Sequence, residues 1–285
     1  IFAGNRPLAG GLAIARERGP EAAAQALHGL SRHLWIVNLN ETPRSIRSVV
    51  CIACLAAPWL NPFASGPSSS VTPWLFSAVC MAVAYGLQPP AWPNAAVLLG
   101  LAAVSAWAIL SAGLSPDSVA LAGACLLIFL AAGMAAGAVQ HRGFVKLIAL
   151  AWLLAAVIST AMALVQYFGA TERLFPWVNA SATGEAYANL RQRNQFASLT
   201  AIGMASLFCL SRPGSARWPA MAAMVWLAVG NAATTSRTGL LELMLLGVLA
   251  LAWPTPRRER VMLWLAGLAA YVVAAVTMPW LLEIA

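Results

Sequence analysis

Charge is what this sequence has least of. Aspartate, glutamate, lysine and arginine together make up 9% of its 285 residues, against 61% hydrophobic residues, whereas a soluble domain carries about 25% charged residues. Between Ser48 and Pro116 there is no charged residue at all. With a mean hydropathy of +0.76, a water-soluble fold would lack the polar surface to cover itself, so the lipid bilayer is the expected partner. Histidine is scarce too, at three residues (His28, His33 and His141), and no zinc-ligand spacing, phosphate-binding loop, dinucleotide fingerprint or serine-nucleophile motif stands out. The five cysteines (Cys51, Cys54, Cys80, Cys125 and Cys209) lie in or beside apolar runs. They read as small buried hydrophobes and not as a disulfide framework, the CxxC of Cys51 and Cys54 included.

What charge there is leans basic, at +8. The lysines and arginines are scattered between apolar runs instead of gathered on one face, which argues against a nucleic-acid partner and for positive loops beside membrane spans. The expected fold is all-α, a polytopic membrane protein with about nine transmembrane helices. Residues 1–47 form a leading segment that does not span, and 48–285 form the membrane domain. Using the Pro, Gly, Ser and Asn clusters as punctuation, spans are expected at 48–60, 74–87, 95–112, 119–138, 145–168, 194–210, 218–230, 238–253 and 261–282. Placing Arg44 and Arg47 inside puts Arg142 with Lys146, Arg212 with Arg217, and Arg257, Arg258 and Arg260 inside as well. The loop at 169–193 and the turn at 231–237 then fall outside. The chain opens on Ile1 without a signal-peptide pattern, which is read as a segment of a longer protein.

Three arginines break that pattern. Arg191 and Arg193 open the sixth span and Arg237 opens the eighth, on the side that should lack positive charge and at helix starts whose dipole is already positive. An anion between them would resolve the conflict. Arg191, Asn194, Gln195 and Ser198 follow i, i+3, i+4, i+7 and share one polar face of an apolar helix. Thr234, Thr235 and Ser236 offer hydroxyls before the eighth span, and Glu242 follows within it. An ionisable residue at membrane depth points to function by default. Plainer readings stand beside this one: arginines as lipid-headgroup anchors, Glu242 as a structural partner of an arginine, and Asn194 and Ser198 as helix-to-helix bonds. Tyr167, Phe168, Phe175 and Trp177 read as an interfacial aromatic belt more than as a sugar-stacking platform.

The segments Leu60-Asn61-Pro62-Phe63, Gln166-Tyr167-Phe168-Gly169, Asn189-Leu190-Arg191-Gln192-Arg193-Asn194-Gln195-Phe196-Ala197 and Thr235-Ser236-Arg237-Thr238-Gly239-Leu240-Leu241 occur in an order that resembles the bacterial O-antigen ligases and the related protein (pilin) O-oligosaccharyltransferases. The resemblance implies an inverting membrane glycosyltransferase of the inner membrane. Such an enzyme moves a glycan from an undecaprenyl-diphosphate carrier to a periplasmic acceptor, lipid A core or a pilin-like protein, with no cofactor, nucleotide sugar or metal. It carries donor-diphosphate contact onto Arg191 and Arg237, then Arg193 and Asn194, with Gln195 and Glu242 in support. It also implies a large periplasmic loop bearing a histidine that activates the acceptor. The sequence ends at Ala285 before such a loop, so the catalytic base is unassigned and this stretch alone is expected to be inactive. An O-antigen polymerase and a transporter or flippase for a lipid-linked or anionic solute are the alternative readings.

Overall fold

In the computed structural model, the residues described are 42–63, 71–87, 142–190, 192–211, 217–252 and 257–284, with isolated helical positions between 95 and 123. Among the described residues the chain is all-helical. Seven α-helices have bounds among the described residues, α1 (Thr42–Leu60), α2 (Val71–Gly86), α3 (Arg142–Tyr167), α4 (Arg193–Leu210), α5 (Arg217–Ala233), α6 (Arg237–Ala252) and α7 (Arg257–Ile284), with one 3₁₀ turn, Thr171–Leu174. The expected spans at 95–112 and 119–138 lie largely outside the described residues, as do most of the leading segment, Arg191, Arg212, Cys125 and the three histidines.

Among the described residues two helices are long and apolar enough to cross a membrane, Gly143–Tyr167 and Arg257–Ile284. At 1.5 Å per residue, 25 residues reach about 37 Å, more than the roughly 30 Å of bilayer hydrocarbon. The other five described helices run 16 to 19 residues, so two candidate spans stand among the described residues. Four cysteines, Cys51, Cys54, Cys80 and Cys209, are free thiols.

Contacts divide the chain after Ser45, and α1 from Ile46 onward belongs with α2 to α7 to the unit Ile46–Ala285. Within it α4 packs against α3, α5 and α6, α5 packs against α3, α6 and α7 as well, and α7 also packs on α6. A helix with neighbours on three sides, such as α4, is apolar over most of its surface. Phe196, Leu199, Met204, Leu207 and Phe208 are accordingly all buried, over about half of its circumference. Close approach requires a missing side chain where α4 meets α3 and α5: a Cβ on Gly203 would lie 2.6 Å from that of Ala156 and 3.0 Å from Leu227 Cδ1. Small residues that let backbones approach are how helices associate when lipid removes the hydrophobic drive.

The surface has the opposite character. On α6, Leu240, Leu241, Met244, Leu245, Val248 and Leu251 are all exposed, and on α7 so are Leu265, Val272, Val273, Val276 and Trp280. In water, continuous apolar stripes of this length would be covered by a partner.

Side-chain bonds fix the relative direction of α4 and α6. Arg193 reaches Thr235, Asn194 bonds Ser236, and Ser198 bonds Glu242. The two helices therefore run parallel and in register, with their N-termini at the same end. The C-terminal ends of α1, α3 and α7 come to that end too, since Leu60 contacts Asn189, Tyr167 contacts Gly184, and Leu282 packs beside Gly184.

Candidate functional site

The end of the bundle where α4 and α6 begin is roofed by the loop 168–190, and one buried side chain organises that loop. Gln166, in the last turn of α3, is fully buried. Its Nε2 donates to Asn179 O at 2.8 Å and Ala188 O at 2.7 Å, and its Oε1 accepts from Tyr187 N at 3.0 Å and Ala188 N at 2.6 Å. All four hydrogen-bonding positions of the amide are thus used. The bonds hold Ala188 at φ 54, a left-handed conformation that a side chain with Cβ ordinarily avoids. Asn189 does the same on a smaller scale. Its Nδ2 donates to Trp177 O at 2.8 Å and to Leu60 O at 3.0 Å at the end of α1, and its Oδ1 accepts from Asn179 N at 3.0 Å. At the start of the loop Gly169 has φ +71, and a Cβ there would lie 2.9 Å from Thr183 Oγ1, so glycine suits it on both counts.

Below this roof lie the paired helix starts. Gln192, the N-cap of α4, makes no side-chain capping bond, leaving the first-turn N–H groups of an α-helix without that partner. Before α6, the turn is shaped by its own hydroxyls: Thr234 Oγ1 donates to Asn231 O at 2.6 Å and accepts from Ser236 N at 3.1 Å, and Thr235 sits at φ 51. Ser236 Oγ donates to Asn194 Oδ1 at 2.8 Å, tying the two helix starts together. Arg193 Nη1 donates to Thr235 Oγ1 at 3.4 Å, a long bond for an exposed guanidinium. Arg237 is exposed and makes no hydrogen bond or ion pair among the described residues. Between them is a cleft of about 300 Å³ lined by Arg193, Asn194, Thr235, Ser236, Arg237 and Thr238, with Thr234.

Two further clefts adjoin it. One, of about 460 Å³, shares Arg193 and Asn194 and adds Glu185, Tyr187 and Gln192. Tyr187 Oη donates to Ala180 O at 2.8 Å; partial burial and then the neighbouring Glu185 push its phenol above the ordinary tyrosine value, so it stays protonated through the physiological range. The other, of about 240 Å³, shares Thr235, Ser236 and Arg237 and runs between α6 and α7 over Tyr167, Leu240, Tyr271, Ala274 and Met278.

Deeper in, Ser198 Oγ donates to Glu242 Oε1 at 2.6 Å, while Glu242 Oε2 is buried without a partner among the described residues. Among the described residues Glu242 is thus bonded to a serine on α4 and not to an arginine. Asn231 Nδ2 donates to Thr200 Oγ1 at 2.8 Å, and Thr200 Oγ1 to Ala197 O at 2.6 Å. A Cβ on Gly239 would overlap Asn231 Oδ1 and approach that of Ala197 to 3.1 Å. The helix starts therefore rest on a tightly packed polar node.

Of the residues singled out from sequence, Arg193, Asn194, Arg237, Ser198 and Glu242 come together. Arg191 lies outside the described residues. Gln195 is exposed at the start of α4, with interactions of its own. Among the aromatic residues, Phe175 and Trp177 are largely exposed, but Tyr167 is buried in the core and forms part of the groove wall, so it is not a belt residue. Sequence reading gave no role to Gln166, Asn189, Glu185 or Tyr187. The available signal was an uncharged amide closing an apolar helix, a costly placement unless every polar atom is bonded.

Residues 186–208 match a family model described as protein glycosylation ligase. The matched stretch is the end of the loop and most of α4, a wall shared by two of the three clefts. No curated protein and no solved structure matches the chain.

Proposed function

We propose that this chain is the donor-binding part of a multi-pass membrane glycosyltransferase of the protein glycosylation ligase type, which takes a glycan from a prenyl-diphosphate carrier such as undecaprenyl diphosphate and passes it to a protein. The observation that carries this reading is the juxtaposition of two parallel helix N-termini, an exposed arginine at each, and a cleft between them. Fixed N–H groups and guanidinium forks suit a diphosphate. The groove over Leu240, Tyr271, Ala274 and Met278 leads from that cleft along apolar helix surface, where a prenyl chain would lie. When the bond between the sugar's anomeric carbon and the phosphate oxygen breaks, negative charge grows on the departing diphosphate. Arg193, Arg237 and the two helix ends would oppose that charge most strongly in the transition state. Arg191, two residues before Arg193 in sequence, is proposed as a further contact. The family match favours a protein acceptor over lipid A core or a growing glycan.

The apolar stripes on α6 and α7 support a membrane setting. The proposed orientation puts the loop 168–190 and Arg237 on the periplasmic side of the inner membrane and Arg142, Arg217 and Arg257 on the cytoplasmic side. Alkaline phosphatase fused within the loop should be active and fused at Arg257 inactive; the reverse pattern would remove the donor site from the proposed side.

The activity itself is tested by reconstituting the protein, expressed from its complete reading frame, with a radiolabelled prenyl-diphosphate-linked oligosaccharide and an acceptor protein. Label should move to the protein. Donor binding without transfer to protein, lipid A core or a second lipid-linked glycan, accompanied by donor movement across the bilayer, would favour a flippase.

A further inference from the structure

We propose that the cleft bounded by Glu185, Tyr187 and Arg193 seats the first sugar of the lipid-linked donor, and that Glu185 determines which end of the donor lies there. This inference rests on the diphosphate reading of the neighbouring cleft. The three clefts form a series joined by shared residues. The groove over Tyr271, Ala274 and Met278 meets the cationic cleft through Arg237, and the cationic cleft meets the Glu185 pocket through Arg193 and Asn194. Apolar, cationic and acid-bearing polar surfaces thus follow one another, in the order of a prenyl chain, a diphosphate and a sugar.

Every side chain lining the Glu185 pocket is polar or carries a polar end. Its volume of about 460 Å³ falls within the usual size range of small-molecule sites, about 300–1,000 Å³. A carboxylate only accepts hydrogen bonds, so Glu185 repels a diphosphate and attracts the O–H groups of a sugar. Tyr187 spends its hydroxyl proton on Ala180 O, which leaves the same oxygen able to accept from a sugar hydroxyl. Both residues stand on fixed backbone. Glu185 N donates to Ala182 O at 3.0 Å, Glu185 O accepts from Ser181 Oγ at 3.3 Å, and Tyr187 N donates to Gln166 Oε1. A donor bound in reverse would set its apolar prenyl chain against Glu185 and its sugar hydroxyls against Met278, so the order of surfaces gives the site a direction.

The test uses the full chain in lipid nanodiscs with two probes: farnesyl diphosphate, and farnesyl diphosphate carrying N-acetylglucosamine. The wild type should bind the sugar-bearing probe more tightly. Glu185→Gln should weaken that probe by about tenfold, the loss of a charge-assisted hydrogen bond, and bind farnesyl diphosphate no more weakly than the wild type. Glu185→Lys should weaken the sugar-bearing probe further and tighten the bare one, a reversal that misfolding would not produce. Equal changes for both probes in both variants, or no change for either, would overturn the sugar pocket while leaving the diphosphate seat intact. A wild-type protein that binds neither probe would overturn the diphosphate reading itself, and the sugar pocket with it.

Discussion

Replacing Gln166 by leucine is expected to detach the loop 168–190 and abolish donor binding. The side chain has no exposed surface and uses all its polar capacity on the backbone of residues 179, 187 and 188. Leucine fills similar space but strands two N–H groups and two carbonyls. Each unsatisfied buried group costs about 1–3 kcal/mol, so the sum is several kcal/mol even if water recovers part of it. Ala188 would also lose what holds it in the left-handed region, leaving a conformation disfavoured by about 1–2 kcal/mol. Limited proteolysis of protein in nanodiscs should show new cleavage within 168–190 while α3 to α7 remain protected. Unchanged loop protection together with unchanged donor affinity would show that the loop is held by something other than Gln166. Glutamate is a finer probe, because it keeps the acceptor for Tyr187 N and Ala188 N but cannot donate to the carbonyls of Asn179 and Ala188; its effect should be intermediate or larger according to how far the buried charge is hydrated.

The second large effect is expected at the arginines. Arg193→Ala and Arg237→Ala should each weaken the donor by about ten- to hundredfold, corresponding to one lost charge-assisted contact of roughly 1.5–3 kcal/mol. Lysine should restore part of this, since it keeps the charge without the two-pronged guanidinium. Because Arg193 also reaches Thr235, its alanine variant removes a link between the helix starts, whereas Arg237 has no such bond; a larger effect on thermal stability is expected for Arg193. Arg217 is the control. It lies at the start of α5, mostly exposed, 3.7 Å from Glu259, in an ion pair of the sort that contributes about 0–1 kcal/mol, and its alanine variant should keep wild-type donor dependence. The measurement is initial transfer rate against donor concentration at matched protein level. A raised KM at both arginine positions with Arg217→Ala unaffected is the expected result; unaltered donor dependence at both would reduce Arg193 and Arg237 to anchors at the membrane interface.

The helices were legible in the sequence because apolar runs and their breaks are strong signals in this composition. The expected starts at 145, 194, 218, 238 and 261 are observed at Arg142, Arg193, Arg217, Arg237 and Arg257. Each observed helix begins earlier and takes in an arginine, because the first turn can lie outside the apolar layer and needs no apolar side chain. Arg193, Arg237, Asn194 and Glu242 stood out as candidates for the same reason, being polar residues in apolar surroundings. Their pairing was not legible. Ser198 meets Glu242 and Asn194 meets Ser236 across 44 and 42 residues of chain, through a parallel register that depends on how Gly239 packs against Asn231 and Ala197. The loop was least legible, since Gln166 and Asn189 act on backbone atoms whose positions no residue pattern encodes. Glu185 becomes notable once the fold brings it to the pocket that Arg193 lines.

The central claim is that the cleft between the two helix starts binds a prenyl diphosphate, and equilibrium binding tests it most directly. With the wild-type chain in nanodiscs of neutral lipid, farnesyl diphosphate should bind much more tightly than farnesyl monophosphate or farnesol, and the double variant Arg193→Ala, Arg237→Ala should bind all three with the same weak affinity. If the wild type made no distinction between the diphosphate and the neutral alcohol, or if the double variant kept the distinction, the cleft would not be the donor's seat.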